Sequence, residues 1–189
     1  MKKLFFAIAL LLIGVSTNAQ EFKPVKVGLG LGYAAPADGG GGIAVYLEPG
    51  YRISDQILVG LRIESAVMAK AVGNQEASAK AVGSYSLTGQ YYFNNNDFRP
   101  FVGLGVGYFA LAAVEVTGST GSATAGNKIG FFPRVGFDFG HFNFIFDYNI
   151  VGATKEVEVS GTTVDLGSDE IKNSYMSIKL GVSIGGGRN

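Results

Sequence analysis

The chain has 189 residues, room for one domain, and 29 of them are glycine while cysteine and tryptophan are absent. Without cysteine there is no disulfide framework, no thiolate metal site and no lipid-modified cysteine. The 15 basic and 15 acidic side chains balance, so no cationic excess points to nucleic acid.

Met1, Lys2 and Lys3 precede an apolar run over residues 4–15, and Ser16-Thr17-Asn18-Ala19-Gln20 follows. A charged start, a short apolar core and small residues at Thr17 and Ala19 predict a secretory signal peptide over residues 1–19. The run is shorter than the roughly 20 apolar residues of a spanning helix. The mature domain is then residues 20–189, and it leaves the cytoplasm.

From there the chain alternates with a period of two, the signature of strands. Val25, Val27, Leu29, Leu31 and Tyr33 oppose Lys26, Gly28, Gly30 and Gly32. After a Pro-Ala-Asp-Gly-Gly turn, Ile43, Val45, Leu47 and Tyr51 oppose Ala44, Tyr46, Glu48, Gly50 and Arg52. Ile57, Val59, Leu61 and Ile63 oppose Gly60, Arg62 and Glu64. A long stretch of small and polar residues leads to Tyr85, Leu87, Tyr91 and Phe93, set against Ser84, Ser86, Thr88, Gln90 and Tyr92. Asn94-Asn95-Asn96-Asp97 is a turn signal.

Residues 98–109 then read F-R-P-F-V-G-L-G-V-G-Y-F, with Val102, Leu104, Val106 and Tyr108 on one face and Phe101, Gly103, Gly105 and Gly107 on the other. A Gly/Ser/Thr/Ala loop over residues 117–127 precedes Ile129, Phe131, Val135, Phe137 and Phe139, which oppose Arg134, Gly136 and Asp138. Past Gly140-His141, Phe142, Phe144, Phe146, Tyr148 and Ile150 oppose Asn143, Asp147 and Asn149. Finally Met176, Ile178, Leu180, Val182 and Ile184 oppose Tyr175, Ser177, Lys179, Gly181 and Ser183.

This makes about eight strands, each near the ~9–11 residues that cross a bilayer at a tilt. Connections alternate: residues 54–56, 94–97 and 140–141 are tight, whereas 69–80, 112–127 and 153–171 are long. The pattern predicts an all-β, antiparallel up-and-down transmembrane barrel, closed so that no backbone edge meets lipid. A soluble barrel or sandwich is the alternative, but the non-greasy face carries too few charges for a solvated exterior. Pro49 and Pro133 fall inside predicted strands and require bulges or local breaks.

Aligning the strands by depth puts Glu48, Arg62, Glu64, Arg134, Asp147 and Lys179 near mid-height, facing inward, with Lys26, Arg52 and Asp138 lower. Asp147 sits between Arg134 and Lys179, and Arg62 and Glu64 sit beside Glu48. Buried charges need partners, so this cluster is expected to form an internal salt-bridge plug.

Other chemistry is thin. His141 is the single histidine, in a predicted turn with no serine at a convincing spacing for a Ser/His pair, and reads as a plain turn residue. The G-x-G-x-G runs lack the helix and wider spacing of a nucleotide loop, and no cofactor or metal site is indicated. A-K-A-V-G recurs at residues 69–73 and 79–83, either flanking a hairpin tip or by coincidence. Glu156, Glu158, Asp165, Asp169 and Glu170 make the last long loop acidic, the pattern of a solvated loop. Val157, Val159, Val164 and Leu166 alternate around Ser160-Gly161, which predicts a hairpin projecting beyond the membrane.

R-P-F-V-G-L-G-V-G-Y at 99–108, P-R-V-G-F-D-F at 133–139 and S-I-K-L-G-V-S-I at 177–184 together resemble the small outer-membrane β-barrel family, the OmpA/OmpX-like transmembrane domain. The resemblance covers residues 25–184. It implies outer-membrane location, lipid and lipopolysaccharide as surroundings, and the barrel-assembly machinery as a partner in biogenesis. The chain departs from many members at its end, where Gly185-Gly186-Gly187-Arg188-Asn189 replaces a terminal aromatic residue. The expected function is non-enzymatic, a structural or surface-interaction protein acting as a monomer. The alternatives are a narrow pore for small apolar solutes and, last, a lipid-modifying enzyme.

Overall fold

The computed structural model describes residues 24–72, 76–116, 123–159, 162–165 and 171–186. The expected signal peptide, residues 117–122 of the expected 117–127 loop, Gly73, Ser160, Gly161, Leu166, Asp169, Glu170 and the terminal residues 187–189 lie outside these. The described strands are β1 (Val25–Pro36), β2 (Gly41–Arg52), β3 (Ile57–Val72), β4 (Glu76–Tyr92), β5 (Phe98–Val116), β6 (Ala123–Phe139), β7 (Phe142–Val151), β8 (Glu156–Val159), β9 (Thr162–Asp165) and β10 (Tyr175–Gly185).

Eight of these close into a ring. Each of β1 to β6 pairs antiparallel with the next, and β10 joins β7 to β1. Closure satisfies every strand edge within the ring, which a lipid surround demands. Three tight turns, at residues 53–56, 93–97 and 140–141, share one end with Pro24 and Gly186. Arg52 N–H donates to the Pro24 carbonyl at 2.7 Å, Gly140 N–H to Asp97 at 3.2 Å, and Ser183 N–H to His141 at 2.7 Å. Gly140 takes φ 56°, a conformation glycine adopts without steric cost.

The outer surface is apolar. Leu31, Ile43, Leu61, Leu104, Ile129, Phe142 and Leu180 are each more than 60% exposed. Tyr33, Tyr51, Phe93, Phe98 and Phe142 are exposed near strand ends, where interfacial girdles lie, whereas Tyr108 is exposed in the middle of β5, which runs on to Val116. Most charged and polar residues of the same strands are buried, among them Arg62, Thr88, Arg134 and Lys179. This inversion of a soluble protein identifies the transmembrane barrel class.

Two departures from the expected layout are informative. The stretches 69–80 and 112–127, which the sequence presents as loops, are largely paired strand. β3 and β4 stay in register to Val72↔Glu76, and β5 and β6 to Ala113↔Ala123, with a register shift at Leu111/Ala112. Alanine and serine have low strand propensity, but backbone pairing propagates once the hairpin is set. Thus residues 69–72 of the first A-K-A-V-G segment and residues 79–83 of the second lie on opposite strands of the β3–β4 hairpin. The prolines break ladders locally without shifting register: β2–β3 pairing skips from Leu47↔Ile63 to Gly50↔Gly60, and β6–β7 from Phe131↔Ile150 to Arg134↔Asp147. On the other side of each strand the ladder runs through, at Val27↔Pro49 and Leu104↔Pro133.

β8 and β9 form the expected hairpin, with Val157 opposite Val164. It joins β6 at Thr124↔Glu158, past the last β6–β7 pair at Gly130↔Val151. Glu156, Glu158 and Asp165 are carried on it beyond the ring.

Candidate functional site: the barrel interior

Parity along each strand decides what enters the lumen. β1 supplies Lys26, β2 Glu48 and Arg52, β3 Arg62 and Glu64, β6 Arg134 and Asp138, β7 Asp147, and β10 Lys179. All nine are buried.

Six of them form a layer at mid-height. Arg134 grips Glu48 with two nitrogens, Nη1 to Oε1 at 2.6 Å and Nη2 to Oε2 at 3.1 Å. Asp147 receives three cations: Arg62 Nη1 at 2.5 Å, Lys179 Nζ at 2.5 Å and Arg134 Nε at 3.3 Å. Lys179 also pairs with Glu64, and Arg62 Nε lies 3.5 Å from Glu64. Polar neighbours complete the shell. Thr88 and Gln90 donate to Glu48 at 2.9 and 3.0 Å, the Tyr175 hydroxyl donates to Glu64 at 2.8 Å, and Arg62 Nη2 donates to Asn149 at 3.2 Å. Three acids and three bases at close quarters are mutually compensated, the condition under which charge survives burial.

The ion pairs go beyond the neighbour-by-neighbour expectation, because several of them cross the lumen. Depth alignment sets Arg62 beside Glu48, but Arg62 reaches across the lumen from β3 to Asp147 on β7, while Glu48 is taken by Arg134 from β6. An eight-stranded barrel is narrow enough for arginine to span it, so partners are chosen across the interior as well as along the wall.

Lys26, Arg52 and Asp138 lie nearer the tight-turn end. Lys26 Nζ is 2.6 Å from Asp138 and 3.0 Å from the Tyr92 hydroxyl, which lies 3.0 Å from Asp138. Arg52 covers the Tyr92 ring at 4.5 Å and donates to the Asp55 carbonyl at 2.7 Å. Arg99 escapes the sequence reading: it approaches Asp138 at 3.9 Å and donates to the Gly186 carbonyl at 3.1 Å. Its inward parity at the start of β5 is the available signal.

Between the two charged layers lies a cavity of about 20 Å³, lined by Tyr46, Glu48, Gln90, Asp138 and Asn143 among others. That is room for one water molecule.

The outer half of the lumen holds an apolar cluster, a second feature that the sequence reading misses. Ala34, Ala44, Ala66, Met68, Val82, Phe109, Leu111, Phe132, Val151 and Tyr175 form a single buried cluster. Nor do the inward glycines line empty space. A β-carbon on Gly105 would strike the Phe132 ring, one on Gly136 the Phe101 ring, and one on Gly30 the Tyr46 ring. Glycine makes room for rings from neighbouring strands, and Arg62 in turn stacks 3.8 Å over Phe132.

His141 lies in the β6–β7 turn with Nδ1 3.0 Å from the Ser183 backbone carbonyl, not its hydroxyl. Among the described residues no group of three or more His, Cys, Asp or Glu is arranged to hold a metal ion.

Solved structures that share this architecture include two outer-membrane proteins. The outer membrane protein OprG from Pseudomonas aeruginosa is 18% identical, with 87% of this chain and 98% of that chain covered at a TM-score of 0.53. Neisserial surface protein A (NspA) is 17% identical, with 89% and 99% covered at a TM-score of 0.53. Both likenesses are likenesses of fold. No protein-family model and no curated protein matches the sequence. The chain has the fold of the small eight-stranded outer-membrane barrels.

Proposed function

We propose that the chain is an integral outer-membrane barrel with a sealed lumen and a structural or surface-interaction role, not an enzyme. The observation that carries this is the filling of the interior. A compensated charge layer, a one-water cavity and an apolar cluster are stacked along the axis, so no layer offers a solute path. The projecting β8–β9 hairpin and the extended β3–β4 and β5–β6 hairpins are then the working surface. On this reading residues 1–19 are a cleaved signal peptide and residues 20–189 the mature domain. Its surroundings are outer-membrane lipid and lipopolysaccharide, the assembly machinery inserts it, and it works as a monomer. The engagement of His141 with a backbone carbonyl, as befits a turn residue, supports the non-enzymatic reading.

Single-channel conductance of the refolded mature chain in a planar bilayer tests the seal. A silent bilayer is expected from protein that shows heat-modifiable gel mobility. Steady discrete openings would overturn the seal and put a narrow pore in its place.

A further inference from the structure

The apolar wall is interrupted at Gly89. This residue stands in the outward row of β4, between Val59 of β3 and Leu104 of β5. Those two are 37% and 65% exposed, whereas a β-carbon on Gly89 would meet nothing within 4 Å. The next outward row is Leu87, Val106 and Phe131, paired in sequence across β4, β5 and β6. Between the two rows runs a groove of about 420 Å³ whose floor is the Thr88–Gly105 pair. Gly105 has no side chain and that of Thr88 points inward to Glu48, so the floor is backbone.

The depth of the groove selects its occupant. Thr88 and the Gly103↔Arg134 pair put it level with the mid-height charge layer. The Tyr85↔Tyr108 pair lies on one side of it, and Phe93 and Phe98 lie on the other. Aromatic residues mark the two interfaces of a membrane barrel, so the groove opens into hydrocarbon. Strands tilted about 35–45° incline a groove that crosses them, so it does not ring the barrel horizontally.

We propose that this groove binds one acyl chain of a membrane lipid, laid between the Val59–Gly89–Leu104 row and the Leu87–Val106–Phe131 row. The proposal rests on the bilayer reading above. An ordinary neighbouring lipid touches the wall on one side. A chain in the groove meets a floor and two walls, and dispersion contacts accumulate with each face engaged. Gly89 is the determinant, because any side chain there fills the groove.

The test is native mass spectrometry of the mature chain refolded in vesicles of palmitoyl-oleoyl phosphatidylethanolamine and released from detergent. Gly89→Phe fills the groove, and Leu180→Phe, on the far wall, is the control. Both positions face outward, so neither substitution enters the packed interior. The unaltered chain and L180F are expected to retain one lipid, and G89F to retain it about tenfold less. Equal retention in all three, or none in the unaltered chain, would overturn the proposal. A dimer that G89F dissociates would also overturn it, giving the groove to a second copy of the chain. Absence of heat-modifiable mobility would instead overturn the membrane reading, and the groove with it.

Discussion

The lumen is filled at two levels, by different physics. At mid-height, filling depends on partnership: Asp147 neutralises parts of Arg62, Arg134 and Lys179 at once, and each charge is tolerable only because the others are present. In the outer half it depends on volume: Phe109, Leu111, Met68 and Val82 simply occupy the space. The first kind of filling is brittle, since losing one member strands the rest. The second is graded, since losing one side chain leaves a cavity whose cost follows its size.

Asp147→Ala draws that contrast most sharply. It leaves three cations around a missing anion and is expected to destabilise the barrel by about 3–5 kcal/mol, read as urea unfolding in lipid vesicles. Should the variant not fold at all, Asp147→Asn, which keeps an acceptor oxygen but no charge, supplies the measurable loss. A change under about 1 kcal/mol in both would mean that the layer is not held by pairing. Leu111→Ala in the apolar half follows at about 2–5 kcal/mol. Here Leu111→Met is expected to recover most of the loss, because the site asks for volume. At Asp147 no neutral replacement is expected to recover the loss, and a failed rescue at Leu111 would erase the distinction.

Much of this is legible in the sequence, for a definite reason. A period of two assigns each residue to a face, and the tight turns set relative height, so the amino-acid order alone places the nine charged residues inward and in two layers. The cross-lumen choice of Arg62 for Asp147 is not legible. Periodicity says which way a side chain points, but not what it meets on the opposite wall. The apolar outer cluster is hidden for a different reason. Met68, Val82 and Leu111 lie in or beside stretches where small residues obscure the alternation and mimic loops, so their inward parity does not stand out. Arg99 is masked by its neighbour Pro100, which makes the strand start hard to locate.

The same attraction at shallower depths sharpens the comparison further. Lys26 and Asp138 sit at the tight-turn mouth, where the lysine side chain is 10% exposed and Tyr92 supplies a second contact. Lys26→Met is expected to cost about 1.5–3 kcal/mol, the range for a hydrogen bond to a charged group. The loss should be smaller than for D147A, because Asp138 keeps the Tyr92 hydroxyl at 3.0 Å and Arg99 at 3.9 Å. Lys80, at the opposite end, lies 2.5 Å from Asp38 and 3.2 Å from the Lys172 carbonyl, with side chains 19% and 30% exposed in the ion pair. Geometry alone would rank it with Arg62–Asp147, which has the same 2.5 Å separation. Exposure reverses that ranking: solvent weakens the attraction, and the long lysine side chain loses freedom to meet its partner. Lys80→Ala is therefore expected to cost only about 0.2–1 kcal/mol. The cost should shrink in high salt, whereas that of D147A holds, because screening acts on exposed pairs and scarcely on buried ones. Urea unfolding of both variants at low and at high salt separates the cases. A salt-insensitive K80A loss as large as that of D147A would show that distance, not depth, sets the strength of these pairs.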